Sequence, residues 1–390
     1  MIVDELRIVG STQTNVVMRA ELLRIASRAL RMRPPEPRKE GLGQLVLPFD
    51  RDLARVVVTY LRTPTRVVWD VYRSSANQLA PLYDELCRDI ARDTRAMCRD
   101  GDAISVEVRH VEAFAAGERQ IIGTVKNALL DGCAQKAIRL HVDPQRPSSQ
   151  WVVRGAADGE IVVSVDLGGG SLSQRGWRHS AGAAPLREHL AAVLLMLARF
   201  DGRRETLVDL MCGSGTIPIE AMHMARGVPR ATPALATLGL NAGVAEPLFP
   251  DAAPVVIGCD IDLDMLATAR DNARRAQLEG AVTWQRCDVA DLTPELIAEI
   301  CSERGRESAP GLLIANPPYG ERLDAVSAPS VEKLYTAIAA TCKRFRGWRA
   351  AFLCGNPQFE RAFLRVLGRP SIKKPLANAN MRAYFYLYDL

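Results

Sequence analysis

The chain has 390 residues, 24% charged and 48% hydrophobic, with a formal net charge of +5. That composition excludes a disordered or fibrous chain, and the length suits two or three domains. The longest apolar run, Leu190 to Leu197, falls far short of the ~18 residues that a membrane helix needs, so no membrane partner is expected. The opening Met-Ile-Val-Asp-Glu has none of the regions of a signal peptide, which predicts a cytoplasmic location. Nine scattered cysteines form no Cys-x-x-Cys, and the five histidines show no ligand spacing. Both facts argue against a disulfide framework and predict no metal. Residues 1–190 carry 27 Lys and Arg against 23 Asp and Glu, and Arg7 to Lys39 alone holds eight basic and two acidic residues. Such a face suits phosphate contacts, and it equally suits a solvated helix in an Arg-rich chain.

In chain order, Pro34 to Gly43 reads as a loop. Val56-Val57-Val58 reads as a strand, as does Arg66 to Trp69. Asp84 to Met97 has helical spacing, with Leu86, Ile90 and Met97 on one face. Ile104 to Val111 alternates as a strand, and Val125 to Ala137 reads as a helix. Trp151 to Arg154 and Ile161 to Val165 flank a turn at Asp158-Gly159, a hairpin signal. These mixed elements predict α+β packing. Beyond them, apolar strands at 206–211, 255–259, 281–286, 311–315 and 349–354 alternate with helices such as Leu263 to Leu278 and Val331 to Phe345. That alternation predicts a parallel sheet covered on both faces. Gly227 to Pro254, dominated by Ala, Pro, Gly and Leu, reads as an irregular insertion. Met381 to Tyr388 alternates after a turn at Ala377 to Asn380, so it closes the sheet as an antiparallel hairpin.

The strongest chemical signal is Val208-Asp209-Leu210-Met211-Cys212-Gly213-Ser214-Gly215-Thr216, an apolar strand running into Gly-x-Gly and a helix. Glycines allow a tight turn and a close approach of backbone to ligand. A phosphate-binding loop would end in Gly-Lys-Ser/Thr, and a dinucleotide fingerprint would need Gly where Pro218 stands, so neither fits. The next strand ends at Asp260, where a carboxylate can accept from two ribose hydroxyls, and the one after ends at Asp288, within reach of an adenine amine. Taken singly, such an Asp is more often a helix N-cap or a solvated turn. Three consecutive strand tips bearing Asp or Gly point to a ligand crevice, because open α/β sheets bind ligands at the carboxyl ends of their strands.

The fourth strand delivers Asn316-Pro317-Pro318-Tyr319. Prolines donate no hydrogen bond, so the loop offers acceptors: the Asn316 side-chain oxygen and the Pro317 carbonyl. Two acceptors suit an amine that must present its lone pair, and Tyr319 offers a face for a base.

Together these segments resemble the class I S-adenosylmethionine-dependent methyltransferases that modify exocyclic amines. The resemblance implies that Asp209, Gly213 and Gly215 line the methionine end of the cofactor, that Asp260 binds its ribose and Asp288 its adenine, and that Asn316, Pro317 and Tyr319 hold the target amine. Gly170 to Arg178, with Ala184-Pro185-Leu186-Arg187-Glu188-His189-Leu190-Ala191, resembles the junction of THUMP-domain RNA methyltransferases, and Gly320-Glu321-Arg322-Leu323 and Lys373 to Leu376 with Asn378 fit the group that methylates guanine N2 in large-subunit ribosomal RNA. The resemblance implies a ferredoxin-like segment at 1–75, a THUMP RNA-binding domain at 76–170 and a Rossmann-like methyltransferase domain at 171–390, with Arg175 and Arg178 contacting RNA. It favours 23S ribosomal RNA over tRNA. A guanine-N2 enzyme acting on tRNA, a DNA adenine-N6 methyltransferase and an inactive RNA-binding module remain as rivals. The implied reaction is in-line displacement by an amine that two acceptors orient.

Overall fold

The computed structural model describes all residues except 95–97, 157–158, 179–185, 232, 241–244, 320–327 and 379–380. Met97, Asp158, Ala184, Pro185, Gly320 to Leu323 and the end of the 377–380 turn therefore lie outside the described residues. The chain forms two compact units. One comprises residues 1–10, 18–172 and 229–245, and the other 11–17, 173–228 and 246–390. Among the described residues, no helix is long and apolar enough to cross a membrane.

The first unit contains β1 (Ile2–Val9), most of α1 (Asn15–Leu30), β2 (Arg38–Glu40), β3 (Gln44–Pro48), α2 (Arg51–Tyr60), β4 (Arg66–Ser74), α3 (Leu79–Arg92), β5 (Ala103–Arg109), α4 (Glu118–Ala134), β6 (His141–Val142), β7 (Ser149–Gly155) and β8 (Ile161–Asp166). One eight-stranded sheet in the order β2-β3-β1-β4-β8-β7-β5-β6 runs through it. The predicted hairpin is present as antiparallel β7 and β8.

Four local expectations need correction. Val56 to Val58 lie in helix α2, because Asp50 caps it through the Leu53 amide at 2.8 Å and Leu53, Ala54, Val56 and Val57 are buried on it. Packing there outweighs the weak helix preference of valine. Helix α3 ends at Arg92, earlier than Met97, and α4 begins at Glu118, before Val125. The 34–43 stretch contributes β2, which pairs with β3.

Part of the basic Arg7–Lys39 stretch is paired with carboxylates of the same chain. Arg7 is fully buried, donating through Nε to Asp70 at 2.8 Å and through Nη1 to Glu40 at 2.7 Å. Asp70 also accepts from Arg154 at 2.7 Å and Ser164 at 2.6 Å, so its buried charge is satisfied on all sides. Arg19 pairs with Glu36, and Arg38 with Glu5 and Glu40.

The insertion is not wholly irregular. It carries the short helix α7 (Pro233–Thr237), and its residues 229–245 belong to the first unit. There Arg230 donates to the carbonyls of Val58 at 2.5 Å and Leu61 at 2.6 Å. A guanidinium at the carboxyl end of α2 satisfies carbonyls that the helix leaves open and complements its dipole.

The second unit holds α5 (Glu188–Leu197), β9 (Thr206–Asp209), α6 (Thr216–Arg226), β10 (Val255–Asp260), α8 (Leu263–Arg275), β11 (Thr283–Arg286), α9 (Pro294–Glu303), β12 (Leu312–Ala315), α10 (Ala328–Arg344), β13 (Arg349–Cys354), α11 (Pro357–Val366), β14 (Ile372–Asn378) and β15 (Met381–Asp389). Its seven-stranded sheet has the order β11-β10-β9-β12-β13-β15-β14. Strands β9 to β13 pair in parallel, while β15 pairs antiparallel with β13 and β14, as predicted. Strands β9 and β12 are buried at every residue, which is why they read as unbroken apolar runs. The order reverses between β9 and β12. Open α/β sheets bind ligands at the carboxyl ends of the strands at such a switch point, and here Asp209 stands opposite Ile314 and Gly258.

Candidate active site

The glycine turn is fixed by backbone and side-chain bonds from three neighbouring segments. Leaving β9, the Leu210 amide donates to Ile314 O at 2.9 Å and the Cys212 amide to Cys259 O at 2.8 Å. Gly213 (φ 51°) and Gly215 (φ 84°) then take left-handed conformations that open helix α6. A side chain at 215 would also collide with the Trp284 ring, its Cβ falling 2.7 Å from Cη2. The same ring lies beneath Gly258, where a Cβ would fall 2.6 Å from Cζ3. Buried Asn272 on α8 donates to Ser214 O at 3.0 Å. Trp284, Gly258 and Asn272 went unnoticed in the sequence, because their role is visible only once β10, β11 and α8 are assembled.

The three predicted carboxylates stand on adjacent strand tips in different surroundings. Asp209 is 1% exposed and accepts the Met211 amide at 3.2 Å. Burial pushes its carboxyl up to about 8, nearby Asp260 adds to the shift, and the Met211 bond opposes it. Asp260 accepts the Gly213 amide at 2.8 Å on one oxygen and the Asp262 amide at 3.1 Å on the other. A carboxylate offers about four lone-pair positions, so each oxygen retains one for a ligand hydroxyl. Exposed Asp288 caps the short turn Val289–Asp291 through the Ala290 amide at 2.9 Å, and the Cys287 amide ties this tip to Asp260 O at 3.1 Å.

The Asn316–Tyr319 loop leaves β12 beside Asp209. Asn316 is partly exposed, yet its Oδ1 is buried and accepts no hydrogen bond among the described residues. A buried acceptor without a donor is costly, and its natural complement is a donor brought by a ligand. Pro317 is buried, and the Pro318 carbonyl accepts from the Tyr335 hydroxyl at 2.6 Å. Tyr319 is 4% exposed, its ring packed beside Gly355 in the core, so it presents no open face for stacking.

Arg175 and Arg178 also face inward. The Arg175 side chain, 1% exposed, lies 3.3 Å from buried Glu220. Arg178 lies 3.2 Å from Glu188 and donates to Thr216 Oγ1 at 2.9 Å. His189 bridges Ser11 at 2.9 Å and Ser173 at 3.0 Å, and burial pushes its pKa down to about 3, keeping it neutral. Glu220 and Thr216 are on α6, so this network braces the helix that the glycine turn begins. Among the described residues, no three His, Cys, Asp or Glu side chains cluster as metal ligands.

Comparison with known proteins places the fold and the family. The family described as UPF0020, RMKL-like, methyltransferase domain, matches residues 175–381. The chain is 33% identical over 294 residues to the ribosomal RNA large subunit methyltransferase K/L of Methylococcus capsulatus, covering 70% of this chain and 37% of the relative. It is 31% identical over 339 residues to that of Chromohalobacter salexigens, covering 79% of this chain and 43% of the relative. The chain thus spans less than half the length of these curated relatives. Among solved structures, its fold is similar to a predicted N6-adenine-specific DNA methylase from Listeria monocytogenes (TM-score 0.76, 23% identity, covering 99% of this chain and 96% of that one). It is also similar to TrmN from Thermus thermophilus (TM-score 0.66, 19% identity, covering 99% of each chain). The fold class read from the sequence, a methyltransferase-type α/β sheet preceded by an α+β region, is the one observed, and with more than half of its residues matched the chain belongs to the RMKL-like methyltransferase domain family.

Proposed function

We propose that this protein transfers a methyl group from S-adenosylmethionine to an exocyclic amine of an RNA base, guanine N2 of 23S ribosomal RNA. The observation that carries the reading is Asn316 Oδ1, a buried acceptor without a donor, on the loop beside the glycine turn at the switch point of the sheet. The names of the curated relatives support ribosomal RNA as the substrate class. We further infer a ferredoxin-like segment at 1–75, a THUMP RNA-binding domain at 76–170 and a methyltransferase domain at 171–390, acting in the cytoplasm.

In this reading Asp209, Gly213 and Gly215 hold the methionine end of the cofactor, Asp260 the ribose and Asp288 the adenine. The fit rests on a buried Asp209 carboxyl with no cationic partner among the described residues and on Asp260, whose two oxygens each accept one backbone amide and keep a lone pair for a ribose hydroxyl. The cofactor supplies an electrophilic methyl carbon on a sulfonium. Asn316 Oδ1 and the Pro317 carbonyl accept the two amine N–H bonds, aim the nitrogen lone pair and stabilise the positive charge that develops on it. Prior deprotonation is unnecessary, since the N–H becomes acidic as the new bond forms, and the proton then passes to water. The base must leave its stack to enter, at a cost of a few kcal/mol. Tyr319, packed in the core beside Gly355, anchors the end of the loop, and Arg175 and Arg178 brace α6 in place of meeting RNA directly.

The test is a labelled methyl-transfer assay with unmodified 23S ribosomal RNA and tRNA transcripts, followed by nucleoside analysis. N2-methylguanosine from ribosomal RNA is the expected product. The same product from tRNA alone moves the substrate, N6-methyladenosine overturns the base, and cofactor binding with no transfer to any RNA overturns the activity.

A further inference from the structure

We propose that Tyr335 is a positioning residue for methyl transfer, holding the Pro318 carbonyl so that the loop presents Asn316 Oδ1 and the Pro317 carbonyl to the amine. The proposal rests on the site reading above. Tyr335 lies on α10, is fully buried, and sets its ring edge-on to Phe359 with centroids 5.4 Å apart. Its hydroxyl donates to Pro318 O at 2.6 Å and in turn accepts from the Cys354 thiol at 3.7 Å. This chain of donors runs from the tip of β13 to the middle of the loop, and each bond polarises the next. Beside it, Gly355 keeps space that a side chain would need: a Cβ there would stand 2.6 Å from Arg382 O and 3.1 Å from Tyr319 Cδ2. The loop is thus held at two successive residues, by a hydrogen bond at Pro318 and by close packing at Tyr319.

Besides the Asn316 backbone carbonyl, three oxygens come from residues 316 to 318, namely Asn316 Oδ1 and the carbonyls of Pro317 and Pro318, and an amine with two N–H bonds needs two of these three. Tyr335 occupies the third. Without its hydroxyl the Pro318 carbonyl is left open, the loop loses its anchor, and the amine gains a competing acceptor that aims its lone pair away from the methyl donor. Burial pushes the Tyr335 hydroxyl up and the Cys354 thiol up to about 11, so both keep their protons through the assay range.

Tyr335→Phe keeps the ring and removes only the hydroxyl. Single-turnover rates are measured at saturating cofactor and normalised to cofactor-binding sites counted by calorimetry, which keeps the test valid for a partly folded sample. The expected result is a rate lower by about tenfold to a hundredfold, with cofactor Kd within about twofold of wild type and an unchanged pH profile. Asn316→Ala is run beside it. A full rate for Tyr335→Phe with a dead Asn316→Ala overturns this proposal and leaves the site reading intact, whereas full rates for both overturn the site reading. Loss of cofactor binding in step with rate overturns positioning in favour of a structural role.

Discussion

Replacing Asp209 by Asn tests the cofactor end of the site through its protons. Asp209 is pushed up to about 8 from an ordinary 3.8 by burial. At about 1.4 kcal/mol per pH unit, ionising it in the free protein costs roughly 6 kcal/mol more than in water. The other titratable groups felt at this carboxyl are Asp260, whose charge opposes its ionisation, and the thiols of Cys212 and Cys259, which burial pushes up and keeps neutral. On the proposed assignment of Asp209 to the methionine end of the cofactor, the bound ammonium group supplies the missing counter-charge, and binding pulls Asp209 into its ionised form. At pH 7 about 0.9 of the Asp209 carboxyls are protonated beforehand while about 0.1 of the cofactor amines are neutral, so binding releases a net of about 0.8 protons. The cofactor's α-amine titrates near ~8 as well, so the competent pair of species peaks near pH ~8. Wild-type affinity therefore follows a bell, falling about 25-fold from pH 8 to pH 6 and by a similar factor toward pH 10. Asp209→Asn binds more weakly, loses the acid limb and varies by only about twofold between pH 6 and 8. Isothermal titration in two buffers of different ionisation enthalpy reads both quantities. Wild-type affinity flat from pH 6 to 8, with no proton release at pH 7, would refute the reasoning.

Three further outcomes are expected. Asn316→Ala lowers methyl transfer by at least about a hundredfold with cofactor Kd nearly kept, measured by single-turnover transfer beside calorimetry. Gly258→Ala drives a Cβ to 2.6 Å from the Trp284 ring and destabilises the fold by about 1–3 kcal/mol in denaturant titration, and adding Trp284→Leu recovers part of that loss. The apo protein loses stability as pH rises from about 4 to about 8, because in that window the unfolded chain has released the Asp209 proton that the folded one keeps; Asp209→Asn removes this slope from melting curves.

The strand-end segments of the second unit were legible in the sequence because each is written in a short contiguous segment. Gly213 and Gly215 need left-handed backbone, the prolines of 317–318 remove donors, and unbroken apolar runs mark strands buried on both faces. What the sequence hid is long-range. Val56 to Val58 form a helix because of the Asp50 cap and the packing of one face, while β-branched side chains alone suggest a strand. A guanidinium at 175 reads as an RNA contact until Glu220, 45 positions away, is found against it. Tyr319 reads as an open platform until the missing side chain at Gly355 shows where its ring sits. The supports of the site, Trp284, Asn272 and Tyr335, have no motif because their partners lie on other elements.

The division of the chain bears on how the protein comes into being. Residues 11–17 fold with the second unit and residues 229–245 with the first, where Arg230 closes the end of α2. A cut at 172/173 therefore yields two fragments that each lack a piece of their own unit. During synthesis, the first unit must wait for residue 245 to leave the ribosome before its last contacts can form, long after its eight-stranded sheet has emerged. Its final closure is tied to the same stretch of translation that delivers the glycine turn, so an arrest between the two units leaves behind a sheet with an unfinished helix end.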